Sequence, residues 1–287
     1  MNPKTLLLFL SGILIFISCG KEESFEKKRA EVDHSGPLLV KVTEQSPGAS
    51  YLKAATFTYD THKRLQSMRN NIEGTINEPY AEQETSYFRN DKGMIKTVSN
   101  IQNVFDENKN LLLRDSIVLN LNFTAEGRYI YGIRTLFDTD NKKIRDSLVY
   151  DYNAKGRMAQ VTVFRKIDDN GDYKDFQYTT YAYDEKENIS TMTIKFAENG
   201  QDPPQVLTFL YNDKISPMNF EDEALLEGFI MQGLNSPNCI INVSDLTEPD
   251  NNWDIHYNEF HTSGKPLKAT HTNISTREKI NTTYFYQ

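Results

Sequence analysis

Tyr150-Asp151-Tyr152-Asn153-Ala154-Lys155-Gly156-Arg157-Met158 decides how this 287-residue chain folds. Tyr150 and Tyr152 alternate along an extended segment and so place two aromatic rings on one face of a pleat. Asn153 starts a turn by bonding its own backbone, and Gly156 accepts the positive φ that ends it. Arg157 and Met158 then open a second strand. The stretch reads as a β-hairpin with a four- or five-residue loop, a type I turn followed by a left-handed residue.

Six further copies surround it: Phe57 to Leu65, Tyr87 to Ile95, Leu121 to Tyr129, Tyr181 to Ile189, a clipped copy from Phe209 to Ile215, and Tyr257 to Lys265. Among the first six the equivalent aromatic recurs about every 30 residues, a spacing suited to one supersecondary unit per repeat. Gly93, Gly127, Gly156 and Gly264 hold the left-handed position; Lys63 and Glu187 replace it in two copies, where local strain is expected. The Asp- and Asn-rich segments Asn103 to Asn110, Asp138 to Lys142 and Asp168 to Asp172 read as the return turns. Seven hairpins make about 14 antiparallel strands, and an open sheet of more than about ten strands curls or splits. The expectation is therefore a mainly β protein: a wide curled antiparallel sheet or partly closed barrel of about seven β-hairpin repeats. A two-sheet sandwich of the same hairpins is the alternative.

One segment breaks the rhythm. From Asn219 to Leu234 the apolar residues follow helical spacing, Glu221, Asp222 and Glu223 lie at the end that the macrodipole favours, and Gly233 is a plausible stop. An amphipathic helix over 219–234 is expected to pack on the concave face of the sheet. Leu225, Phe229 and Ile230 would then roof any ligand held between sheet and helix.

The amino terminus has one charge, Lys4, an apolar run from Leu6 to Ile17, and then Ser18-Cys19-Gly20. About 12 apolar residues are too few to span a bilayer. Phe16-Ile17-Ser18-Cys19 resembles the bacterial lipobox, which implies a signal peptide over 1–18 and lipidation of Cys19. A charged tether follows over 19–37, and 38–287 forms a single domain. Lys21-Glu22-Glu23 resembles the short acidic export signal of Bacteroidetes surface lipoproteins. That resemblance implies an outer-membrane location, with surface exposure favoured over a periplasm-facing anchor.

The repeat pattern from about residue 40 to 287 resembles the tyrosine-aspartate hairpin repeats of a family of uncharacterised Bacteroidetes lipoproteins. Shared features include Tyr211-Asn212-Asp213-Lys214 followed by Ser216-Pro217, the helical insert, Ser236-Pro237-Asn238, and the ending Gly264-Lys265-Pro266-Leu267-Lys268-Ala269. The resemblance implies a porin-like domain of unknown function. It brings no catalytic residues, and Lys63 and Glu187 depart from its turn glycines.

The net charge is −8, and removal of residues 1–18 deletes Lys4 and takes it to −9. So acidic a body is repelled by phosphate backbones, which argues against nucleic acid as a partner. Once Cys19 is lipidated, Cys239 is the remaining thiol, and no intramolecular disulfide can form. His256, Glu259, His261 and His271 form the one ligand-like cluster, but His256 and His261 are separated by an odd number of residues and face opposite sides of a strand. Asp168, Asn170 and Asp172 have calcium-loop spacing, yet Tyr173 and Thr179 occupy the positions that need glycine and a bidentate acid. Asn170-Gly171 reads instead as a hairpin turn.

Asp115-Ser116-Ile117 and Asp146-Ser147-Leu148 resemble a three-residue O-glycosylation acceptor motif, which implies modification of Ser116 and Ser147 where strands begin. The 16 Tyr and 16 Phe answer mainly to strand propensity and cross-strand pairing. Trp253 is a candidate ligand contact. No nucleophile, phosphate loop or redox pair stands at a suggestive spacing, so no cofactor, metal or enzymatic activity is expected. The chain reads as a lipid-anchored binding or structural module for an unknown surface partner. A carrier or sensor of a hydrophobic ligand is the alternative, and a glycan-binding protein the third reading.

Overall fold

The computed structural model describes residues 36–74, 79–137, 143–167, 171–197, 203–218, 220 and 236–287. Sixteen antiparallel strands run β1 (Leu39–Gln45), β2 (Tyr51–Tyr59), β3 (Leu65–Gly74), β4 (Tyr80–Arg89), β5 (Ile95–Phe105), β6 (Leu111–Phe123), β7 (Tyr129–Phe137) and β8 (Lys143–Tyr152). They continue as β9 (Met158–Ile167), β10 (Lys174–Tyr183), β11 (Ile189–Phe196), β12 (Gln205–Ile215), β13 (Asn238–Asp245), β14 (Trp253–Phe260), β15 (Pro266–Asn273) and β16 (Lys279–Tyr286). Each pairs with its neighbours in sequence, and β1 pairs with β16, so the sheet is a closed barrel.

This corrects the expected architecture. The wall closes fully rather than partly, it has 16 strands rather than about 14, and the described residues contain one three-residue 3-10 turn, Pro249–Asn251, and no α-helix. The segment 219–234, read above as an amphipathic helix, lies outside the described residues apart from Phe220. The strand count differs for a physical reason. The seven repeats build β2 to β15, while β1 and β16 are the two ends of the domain and share no turn. They pair from Leu39↔Tyr286 to Gln45↔Asn281. Leu38 and Gln287 complete the seam by exchanging two backbone hydrogen bonds of 2.9 Å.

The hairpin turns follow their chemistry. Asp60 Oδ1 accepts the backbone N–H groups of His62 at 2.8 Å and Arg64 at 3.0 Å. Asn90, Asn153 and Asp184 do the same for the residues two and four positions on. The left-handed position is glycine in Gly93, Gly127, Gly156 and Gly264, with φ of 74° to 87°, whereas Lys63 and Glu187 hold φ of 61° and 66° there. Side chains with a Cβ adopt that region at a steric cost.

A second interaction locks the same end of the barrel. The tyrosine before the turn donates its hydroxyl to a carbonyl at the start of the preceding strand, just where ladder pairing runs out. Tyr59 reaches Leu39, Tyr183 reaches Met158 and Tyr211 reaches Ile189, each at 2.7 Å. Tyr257 reaches Ile240 at 3.0 Å and Tyr286 reaches Pro266 at 2.8 Å. Arg89 substitutes by donating Nη2 to Leu65 at 3.1 Å.

Alternation sends apolar residues inward. One continuous core draws buried side chains such as Leu39, Tyr87, Leu121, Val161, Met192 and Tyr284 from every strand except β14, which packs Ile255 and Tyr257 against it. The outer wall is mainly polar, with cross-strand pairs Thr58···Ser67 at 2.7 Å, Thr97–Asn120 at 3.0 Å, Asn242–Asp254 at 2.8 Å and Asn258–Thr270 at 3.0 Å, interrupted by exposed side chains such as Phe88, Leu210 and Phe285. Two residues before the turn, successive repeats carry Thr58, Phe88, Asn122, Asp151, Ala182 and Leu210. That is no aromatic girdle. A barrel that crosses lipid carries an outward apolar band about 25 Å tall between such girdles, and here the polarity is reversed.

Tyr183→Phe is expected to cost about 1 kcal/mol of unfolding free energy, because the Met158 carbonyl loses its donor. Glu187→Gly is expected to stabilise by about 0.5–1 kcal/mol by relieving the left-handed backbone. Urea unfolding of the two variants beside the parent measures both, and opposite signs are the required outcome.

Candidate functional site

The clearest polar constellation inside the wall lies on β7, β8 and β9. Asp146 is fully buried, and the register places Arg134 and Arg165 directly opposite it on either side. Its Oδ2 accepts from Arg134 Nε at 3.0 Å and Nη2 at 2.7 Å, and from Arg165 Nη2 at 3.0 Å. Its Oδ1 accepts from Arg165 Nε at 2.9 Å. The Arg165 guanidinium sits over the Phe176 ring, 3.4 Å from its centroid, and Phe176 meets Phe196 edge-to-face at 5.8 Å. Beyond them Ile167 and Phe196 stand about half exposed at the return-turn end.

The opposite end is built differently. A cleft of about 600 Å³ is lined by Pro37, Leu38, Phe57, Tyr59, Lys63 and Gln287, beside the point where the chain enters β1. Phe220 packs against Phe57 with ring centroids 5.6 Å apart. Phe220, five residues past the end of β12, thus meets β2, which five strands separate from β12 around the ring.

The barrel resembles a porin-like protein of Bacteroides uniformis. The match has a TM-score of 0.51 and 14% identity over 87% of this chain and 96% of that one, and what it shows is a shared fold. A porin-like protein of Bacteroides vulgatus aligns over 88% of this chain and 99% of its own, with a TM-score of 0.47 and 10% identity. No protein-family model matches the chain. No curated protein sequence matches it either.

The residues singled out in the sequence are scattered. Cys19, Lys21, Glu22, Glu23, Leu225, Phe229 and Ile230 lie outside the described residues, as do Asp168 and Asn170. The strands flanking those last two, β9 and β10, do form a hairpin. Ser116 is exposed on β6, where its N–H is held by Asp115 at 2.7 Å, and Ser147 is half-buried on β8. Both stand inside strands rather than at their starts. Trp253 begins β14, partly buried opposite Val243 and Asn273, rather than standing in a polar loop.

The histidines separate. His261 sits in a turn with Ser263, His256 pairs with Thr270, and His271 pairs with Ile255 on the inner face. Among the described residues no three His, Cys, Asp or Glu side chains converge as metal ligands. The inner face instead holds buried polar atoms that sequence reading missed. His271 Nε2 and Thr282 Oγ1 are buried without hydrogen-bond partners. Glu44 lies directly opposite Thr282 on one side and Lys53 on the other. Burial raises the Glu44 carboxyl above its usual range, and the Lys53 charge partly offsets the rise. Burial also pushes His271 down to about 4 and the free thiol of Cys239 up to about 12.

His271 gives the fold a pH dependence of known sign. Its pKa is lower folded than unfolded, so below 6.5 the unfolded chain binds the extra proton and stability falls as pH drops from 6.5 towards 4. The loss reaches at most about 3 kcal/mol. In His271→Gln the part of the slope due to this residue disappears. Denaturant midpoints of both proteins at pH 7 and pH 4.5 check it, and parallel profiles would refute the assignment.

Proposed function

We propose that the protein is a non-enzymatic lipoprotein of the outer membrane, tethered through Cys19, whose barrel stands in water at the cell surface as a binding or structural module. The observation that carries this reading is the reversed polarity: a polar outer wall around a packed apolar interior suits a solvated body and not a lipid-spanning pore. Attachment then rests with the acyl chains, where each buried methylene contributes about 0.8 kcal/mol. The fold shared with the porin-like Bacteroides uniformis protein and the Lys21-Glu22-Glu23 triplet support the outer-membrane assignment. Both domain termini meet at the seam, so the tether leaves from the Tyr-locked end. Ser116, exposed on the outer wall, is the better placed of the two acceptors proposed for glycosylation.

The cleft beside Phe57 favours a second reading, a carrier or sensor of a hydrophobic ligand. It has the size of a small-molecule site, and Pro37, Leu38 and Phe57 give it apolar walls.

A site-specific protease sequence inserted between Ser24 and Ala30 separates anchor from wall. In cells fed an alkyne fatty acid, the parent chain takes up label and Cys19→Ala does not. Cutting the tether in washed membranes releases the barrel into the aqueous phase. A barrel that stays in the membrane after complete cleavage spans it, and the reading falls.

A further inference from the structure

The cluster on β7, β8 and β9 contains more cation than the fold requires. One guanidinium and one carboxylate would already tie two strands together and leave no net charge. Here two guanidiniums share Asp146 and neither pairs with another acid among the described residues, so the cluster carries positive charge in excess. A charge held out of water without a counter-ion is costly, and truly sealed sites avoid it. Neither arginine completes its set of bonds: Nε and Nη2 of each go to Asp146, and Nη1 of each makes no hydrogen bond among the described residues. The two side chains keep 19% and 20% of their surface, so these donors remain reachable. Next to them the inner face turns apolar again. Phe176 supports Arg165, and Phe196 and Ile167 are 46% and 51% exposed at the mouth.

We propose that this mouth of the barrel binds an amphipathic monoanion, its carboxylate bridging the Nη1 groups of Arg134 and Arg165 and its apolar tail lying on Ile167 and Phe196. Guanidinium forks match carboxylate geometry, and the bonds they form to it are charge-assisted. The site lies away from the tether and from the cleft at Phe57, and it requires neither lipidation nor surface display.

Octanoate is the probe, with octanamide as the uncharged analogue and acetate as the tail-less one. Each is titrated calorimetrically into the full chain in lipid nanodiscs, with empty nanodiscs subtracted. Octanoate saturates at one per chain, and octanamide and acetate bind at least tenfold more weakly. Arg134→Gln and Arg165→Gln each weaken octanoate at least tenfold with an unchanged circular dichroism spectrum. Asp146→Asn removes the competing carboxylate and tightens octanoate binding. Should that variant fail to fold, Arg134→Lys, which keeps the charge and loses the fork, weakens binding less than Arg134→Gln. Absence of saturable octanoate binding, equal binding of octanamide, or indifference to both arginine substitutions overturns the proposal.

Discussion

The pairing of the first strand with the last is the constraint on which the rest of the barrel depends. Without the ladder from Leu39↔Tyr286 to Gln45↔Asn281, the strands made by the repeats would form an open sheet with two unsatisfied edges. Closure satisfies both edges at once and encloses the buried apolar cluster within one wall. It is also the least local contact in the molecule, joining the two ends of the domain, and its loop-closure entropy must be offset by contacts elsewhere. The tyrosine hydroxyls help to do so at the seam itself. Tyr59 bonds Leu39 and Tyr286 bonds Pro266, so the strands on either side of the join are fastened to their neighbours by side chains where the ladders end.

Much of this wall was legible in the sequence because its units are local. The whole instruction for a hairpin sits within nine residues, and the turns at Asp60, Asn90, Asn153 and Asp184 bond as their side chains dictate. Even the two exceptions were readable, since Lys63 and Glu187 do occupy left-handed backbone. Closure was not legible. β1 and β16 meet without a turn between them, so no motif announces the pair. The same limit hid the charged cluster. Asp146 alternates with Ile144, Leu148 and Tyr150, so a charge in an inward slot was there to see. That Arg134 and Arg165 flank it follows only from the register of three strands, which short-range patterns do not specify.

Polarity is a property of a barrel separate from its strand arrangement. Topology depends on turns and backbone ladders and is indifferent to which face is apolar. The choice of face decides the solvent. With the apolar set inside, the interior is a core like that of any water-soluble domain, and its buried polar atoms carry the usual penalty. His271 and Thr282 bear that penalty, and the depressed titration of His271 is its expression.

The two ends of the barrel are consequently unlike. At one end the turns repeat a single motif, the tyrosines tie strand to strand, and Phe220 crosses to Phe57. Uniform chemistry there serves closure and leaves little freedom for recognition. At the other end the returns differ from one another. The turn at Asp106 bonds as the hairpin turns do, its Oδ1 accepting the N–H groups of Asn108 and Asn110 with Lys109 left-handed, whereas at the Asn273 turn Oδ1 accepts the N–H groups of Ser275 and Thr276 and Arg277 is left-handed. This end exposes Leu113 and Phe196 and carries the excess guanidinium. The described chain enters β1 at the tyrosine-locked end, and the charged cluster lies near the other, so entry and excess charge occupy opposite poles of one closed sheet.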